Sequence, residues 1–410
     1  MHIEMLEPRQ LLAAAVPTAV EQYFLELVNR ARMNPTAEAR RFKMDLNEGL
    51  APGTLAPTPR QPLAFNRFLI SAARKYSTAL LDPPRGQNND PGKLNHFLNG
   101  TSPGSRAVAE GYPSTFVAEN LAWNTHSGSA ASAASADKEH ELLFKDFTDT
   151  FAVEGRGHRL NILNNQWNEV GIGLAVGAFG GRNAQVVTQD FGLSDRPYLT
   201  GVAYNDKVAD NDFYDPGEGL KGIAIKATRL EDGAVFSTKA WASGGYSLAL
   251  DPGMYTVTAS GKALGGAQTY FNVAIGVENV KRDFVAPGTR DLTAPFASAI
   301  AANVTEAGGT THRFIVTYSD TSAIDVKTIR TGNVRVTAGG FAQTARLVST
   351  TPAKNGTSVV ATYEITAPGG AWTAAANGTY AIKLLKGQVK DTSGRPVPQG
   401  TLGSFVVNVI

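Results

Sequence analysis

Of the six histidines in the chain, two stand where side-chain chemistry is easiest to present. His96, in Asn95-His96-Phe97, and His158, in Gly157-His158-Arg159, are flanked by polar and glycine residues. Cys is absent, which excludes disulfides, thiolate clusters and cysteine nucleophiles. Any metal must then be held by histidine and carboxylate, a donor set that suits zinc or a similar ion with open positions left to water. Such a site weakens below about pH 6.5 as imidazole takes up a proton. The competing reading is a metal-free hydrogen-bonded network of the same groups. His140 is expected to be solvated on a helix and His126 to lie in a surface loop, while Trp123 is expected to cover the core.

A second concentration of chemistry lies further along. Asp206, Asp210, Asp212, Asp215 and Glu218 place five acids in thirteen residues, a density of hard oxygen donors that suits calcium. An EF-hand loop would put its last glutamate eleven positions after its first aspartate. Here the interval is twelve, from 206 to 218, so the loop is not an EF-hand. A solvated turn is the alternative, and Val208, where another acid would help, favours it. His-Glu-x-x-His does not occur, and no nucleophile is identified in the sequence.

These residues need elements to position them. Val20, Phe24, Leu27, Val28 and Ala31 recur at helical spacing, as do Leu69, Ala72, Tyr76 and Leu80 within 63–81. A third helix is expected over 137–147 through Leu142, Leu143 and Phe147, after a Ser/Ala-rich loop at 127–136. Loops are expected at 52–62 and 83–92. Strands at 169–176 and 185–191 flank a glycine-rich turn at 177–183. Beyond Pro197 the pattern becomes short alternating strands: 222–227, 246–250 and 255–259, then 313–318, 334–337, 359–365, 380–385 and 405–409, with Trp372 as a core anchor. The fold class expected is multidomain, a helix-and-sheet unit followed by two all-β sandwiches.

Composition bounds the partners. At about 150 residues per domain, 410 residues make two or three domains. Hydrophobic residues at 42% with 18% charged fit folded modules. A formal charge of +2 gives no electrostatic footprint for nucleic acid. No window approaches eighteen uninterrupted apolar residues, so no transmembrane segment is expected. The Asn-Gly-Thr strings at Asn99, Asn355 and Asn377 are read as turns.

The strings Asn95-His96-Phe97, 106–112, Ala118-Glu119-Asn120-Leu121, 157–163, 169–173 and Thr188-Gln189-Asp190-Phe191-Gly192, in this order, resemble the CAP superfamily of cysteine-rich secretory, antigen 5 and pathogenesis-related (SCP-like) proteins. The match runs over 18–195 and is nearest to the cysteine-free bacterial branch. It implies an α-β-α sandwich whose cleft carries two histidines and two acids able to hold a divalent metal: His96, His158, Glu119 and, by the poorer match at Leu143-Phe144-Lys145-Asp146, Asp146, with Glu154 as the rival. It also implies binding more than catalysis, in an extracellular or cell-surface setting, the ligand being a peptide, lipid or polysaccharide. The alternative is a metal-dependent hydrolase of extracellular peptide or polymer with Glu119 as general base.

Two further resemblances follow. Residues 197–286 resemble the B-type, prealbumin-like repeats of bacterial adhesins, and 291–410 resemble bacterial immunoglobulin-like modules; both imply spacer or adhesion roles. Residues 6–13, within an N-terminal segment 1–17, resemble a short segment of some large bacterial surface proteins, which implies export.

Overall fold

A computed structural model describes residues 15–81, 92–147, 154–287 and 293–409. The export-related segment 6–13 and nearly all of the 83–92 loop lie outside the described residues. The chain divides into two compact units: one runs to Tyr198 and includes Glu278–Val280, and the other holds Leu199–Val277 and the remainder. The first mixes helices with a sheet, and the second is built of β-sheets.

In the first unit, α1 (Ala19–Met33) starts at a capping box, where the Thr18 hydroxyl and the Glu21 carboxylate satisfy each other's backbone N–H. The short α2 (Pro35–Arg41) follows directly. Strand β1 (Ala64–Phe65) and α3 (Arg67–Leu80) divide the stretch 63–81 read as one helix, because Asn66 caps α3 and the residues before it pair with the sheet. Next come α4 (Pro103–Ala109), β2 (Ala118–Thr125), α5 (Ala133–Lys145), α6 (Gly157–Leu163), β3 (Glu169–Phe179) and β4 (Arg182–Gly192).

Two expectations change here. Ser132 caps α5 by accepting from the Ser135 N–H, so the helix takes over the end of the Ser/Ala-rich stretch read as loop. The turn read at 177–183 tightens to Gly180-Gly181, both at positive φ, because β3 and β4 pair out to Phe179 and Arg182.

The sheet order is β1-β3-β4-β2, antiparallel apart from the β1–β3 pair, which leaves β2 on an edge. α3 lies directly on β3: a Cβ at Gly171 or Gly173 would come within 2.0 Å of Leu69 or 2.1 Å of Arg74 backbone. Alternation along β2 then sorts the unit into layers. Leu121 packs with Tyr76 and Leu80 of α3, while Asn120 and Asn124 on the opposite face bond to α6 and α5. The result is helix, sheet, helix.

His140 is a correction. The expected solvated residue is 1% exposed and is packed between Phe24, Phe42 and Phe144, with Nε2 3.0 Å from a Glu38 oxygen. Burial pushes its imidazole below the usual range. Helical periodicity places a residue on a face; it does not show that a second helix covers that face.

In the second unit, β5 (Tyr198–Tyr204) begins a run of short strands, β6 (Ala224–Arg229), β7 (Val235–Lys239), β8 (Gly245–Ala249), β9 (Gly253–Ser260) and β10 (Gln268–Ile275), closed by β11 (Val280–Lys281) and β12 (Phe284–Val285). They form the sheets β10-β9-β6-β7 and β11-β5-β12, with β8 beside β5. After the undescribed residues 288–292 come β13 (Phe296–Ile300), β14 (Thr311–Ile324), β15 (Val334–Ala338), β16 (Phe341–Thr344), β17 (Arg346–Thr351), β18 (Gly356–Thr366), β19 (Gly378–Leu384) and β20 (Gly400–Val407). The sheets β13-β14-β18-β17 and β16-β15-β19-β20 enclose one core, in which Trp372 is 1% exposed.

Candidate functional site

The cleft forms around the edge strand β2. Glu119 points to the α3 side, where its Oε1 lies 2.7 Å from His96 Nδ1 and its Oε2 accepts from Arg106 Nη2. Arg106 comes from α4; its guanidinium stacks 3.3 Å from the Tyr76 ring centroid and donates to the carbonyls of His96 and Thr101. This residue holds the loop carrying His96 and neutralises Glu119. Nothing in the sequence around 106 marks this role, which only the side chain's return across α4 reveals.

On the other side of β2, Asp146 ends α5 in a left-handed conformation, φ +59°, and is fully buried. Its Oδ1 is 2.6 Å from His158 Nδ1 and its Oδ2 accepts from the Arg159 N–H at 2.8 Å. The backbone there is locked by Arg159, whose guanidinium donates to the carbonyls of Leu46, Glu48, Phe144 and Lys145. Arg32 does the same for the end of α6, donating to the carbonyls of Gln61, Ile162, Asn164 and Trp167; burial brings its guanidinium down to about 9. Glu154, the rival acid, sits on the exposed turn before α6 and bonds to neither histidine.

The two pairs are joined through the strand. Asn120 Nδ2 donates to the His158 carbonyl, and Asn161 Nδ2 donates to Asn120 Oδ1 at 2.9 Å. Each carboxylate faces a ring Nδ1, which fixes the proton there and leaves Nε2 as the acceptor. Both oxygens of Glu119 and of Asp146 are already engaged. The lone pairs left to face outward are therefore those of the two Nε2 atoms. Among the described residues no group of three or more His, Asp and Glu side chains is gathered in a way that could hold a metal.

Behind Glu119, in register across the sheet, lies Asp190, 0% exposed. Neither of its oxygens has a hydrogen-bond partner among the described residues. Burial first, and the Glu119 charge second, push its carboxyl well above the usual range.

In the second unit the acidic loop folds on itself. Glu218 accepts from the N–H groups of Val208, Ala209 and Asp215, and Asp206 from those of Asn211 and Asp212. Both acids are fully buried, and burial raises both carboxyls above their usual range. Asp210, Asp212 and Asp215 complete the loop, and Asp215 accepts from Asn211 Nδ2 at 2.8 Å.

No protein-family model matches the sequence, and no curated protein matches it. Among solved structures, NaASP2 crystallised with Zn2+ is 13% identical, covering 43% of this chain and 81% of that one with a TM-score of 0.27. Schistosoma mansoni venom allergen-like protein 4 is 13% identical over 43% and 89%, TM-score 0.25. A Streptococcal ancillary pilin is 11% identical over 56% and 77%, TM-score 0.16. Similarity at this level assigns neither fold nor activity.

Proposed function

We propose that the first unit is a CAP-like domain that binds an extracellular ligand at the β2 edge, in a secreted or surface-associated bacterial protein whose β modules act as spacers or adhesion modules. One observation carries this reading. Two imidazoles stand on either side of one strand, each anchored at Nδ1 by a buried carboxylate and each presenting Nε2. Buried acids behind histidines orient the rings and raise their basicity, the arrangement that supports metal-ligating histidine. A zinc-type cation would be held by His96 and His158, with Glu119 and Asp146 orienting them and water or the ligand filling the shell.

Binding is favoured over hydrolysis because, among the described residues, no hydroxyl is hydrogen-bonded to either Nε2, and the acids are engaged as orienters. Zinc titration of the whole chain by calorimetry, with His96→Ala and His158→Ala beside the wild type, tests the reading. Loss of uptake in both variants supports it; uptake equal to wild type in both overturns it. For the acidic loop the calcium proposal rests on Asp210, Asp212 and Asp215, since the oxygens of Asp206 and Glu218 already accept backbone N–H groups.

A further inference from the structure

The first unit contains one piece from far along the chain. Glu278–Val280 belongs to it, while Val277 and Lys281 on either side belong to the second unit. The sequence places these three residues inside a β module at 197–286, yet they complete a different fold. Asn279, 4% exposed, makes the attachment. Its side-chain amide donates to the carbonyls of Pro62 and Asn168, at 2.9 and 2.6 Å, and its Oδ1 accepts from the Tyr198 N–H at 2.7 Å. Its own N–H donates to Gln61 Oε1 at 3.0 Å, and Gln61 Nε2 donates onward to the Asn165 carbonyl at 2.7 Å.

What these bonds hold is the start of the parallel pair β1–β3. β1 is two residues long, and the Ala64 and Asn66 N–H groups donate to the carbonyls of Asn168 and Val170. Two residues give a pair little hold of its own. Asn279 bridges Pro62, just before β1, to Asn168, just before β3, and Arg32 ties the same two stretches through the carbonyls of Gln61 and Trp167. The second stretch follows α6, the helix that carries His158. An asparagine suits the junction because it offers two donors and an acceptor on a short stem. Aspartate would match its shape and turn an oxygen toward two carbonyls.

We propose that Glu278–Val280 is a latch carried by the β module: Asn279 closes the fold of the cleft-bearing unit, which keeps its full stability only while the module around the latch stays folded. A folded module, with β10 ending at Ile275 and β12 beginning at Phe284, presents the latch already ordered. An unfolded one would have to order it residue by residue against conformational entropy. The proposal goes beyond the binding reading and does not depend on the cleft's ligand.

The test is hydrogen exchange of the whole chain, read by mass spectrometry on peptides covering 61–66. Asn279→Ala removes the three side-chain bonds and should raise exchange there by about tenfold or more. Asn279→Asp, nearly the same shape without the donors, should do at least as much. Glu278→Ala, which loses only an exposed bond from Asn165, should stay near the wild-type rate. Dependence on the module is tested with Val257→Ala, a 0% exposed position in β9. At one urea concentration that opens the module in this variant and not in wild type, as reported by β9 peptides, 61–66 should exchange faster in the variant. This arm leaves Asn279 in place, so it stands should either Asn279 variant fail to fold. Wild-type exchange at 61–66 in both Asn279 variants, or a rise confined to 199–277, overturns the latch. Unchanged exchange at 61–66 while the module of Val257→Ala is open overturns its dependence on the module.

Discussion

The β2-edge cleft and the acidic loop both concentrate carboxylates, and both bury the innermost two, yet they use them differently. In the cleft, Glu119 and Asp146 face imidazoles at Nδ1, which turns each Nε2 away from the acid. In the loop, Asp206 and Glu218 face the loop's own backbone, and what they hold is a shape. A buried acid that orients a side chain leaves a functional group at the surface. One that accepts backbone N–H groups is a structural member, whatever the density of acids around it. Counting acids in a sequence does not distinguish the two, because the distinction lies in the acceptor's partners.

The hardest test of this contrast is Glu218→Ala. Three backbone N–H groups lose their acceptor, which should destabilise the second unit by about 3 kcal/mol, read from urea unfolding of the whole chain followed through that unit's transition. The loss should be the same with millimolar calcium and with chelator. A larger loss with calcium than with chelator would mean that the carboxylate serves a cation, and the contrast would collapse from the loop side.

His158→Ala attacks the other side. The ring is 20% exposed, but its loss leaves the fully buried Asp146 Oδ1 without its partner, so stability should fall by about 1–3 kcal/mol while zinc affinity falls about 10- to 100-fold, both measured by calorimetry. Asp146→Asn sharpens it further. Asn tolerates the left-handed backbone at this position and still accepts one hydrogen bond, so the fold should persist. Zinc affinity should fall by about tenfold, because the ring loses its anionic anchor. An Asp146→Asn variant that keeps full affinity while His158→Ala loses it would show that the buried acid does not tune the imidazole.

The ease with which these regions were legible in the sequence differs for physical reasons. The helices of the first unit and most strands of the second announce themselves by period, since one face of each meets a core. The order of short strings around His96, Glu119 and His158 nominated residues that the structure sets in two separate pairs, His96 with Glu119 and His158 with Asp146. What periodicity leaves out is everything carried by long side chains crossing between elements. Arg106 reaches Glu119, Arg159 locks the end of α5, and Arg32 locks the end of α6, each through contacts spread over distant stretches of chain. His140 was misread for the same reason: its cover is Phe42 and Glu38, a hundred residues away. In the loop, the acids were legible as acids, while their backbone partners were not.

The smallest effect is expected at Asp190, and it separates the two regions by pH. Its folded-state carboxyl is held above the usual range by burial and by Glu119, so the folded chain keeps this proton at pH values where the unfolded chain, near 3.9, has released it. The folded state therefore binds more protons than the unfolded state across that window. The stability from this group is fully present below about pH 4 and declines as pH rises toward the folded pKa. Asp190→Asn keeps the shape and removes the ionisation. The variant should melt close to wild type near pH 4 and progressively above it toward pH 7, followed by calorimetry at several pH values. Asp206 and Glu218 are raised in the same direction, but their carboxyls already accept N–H groups, so amides there should cost stability at every pH. A pH-independent offset for Asp190→Asn would mean that a hydrogen bond holds its carboxyl, and would remove the difference between the buried acid behind the cleft and the buried acids of the loop.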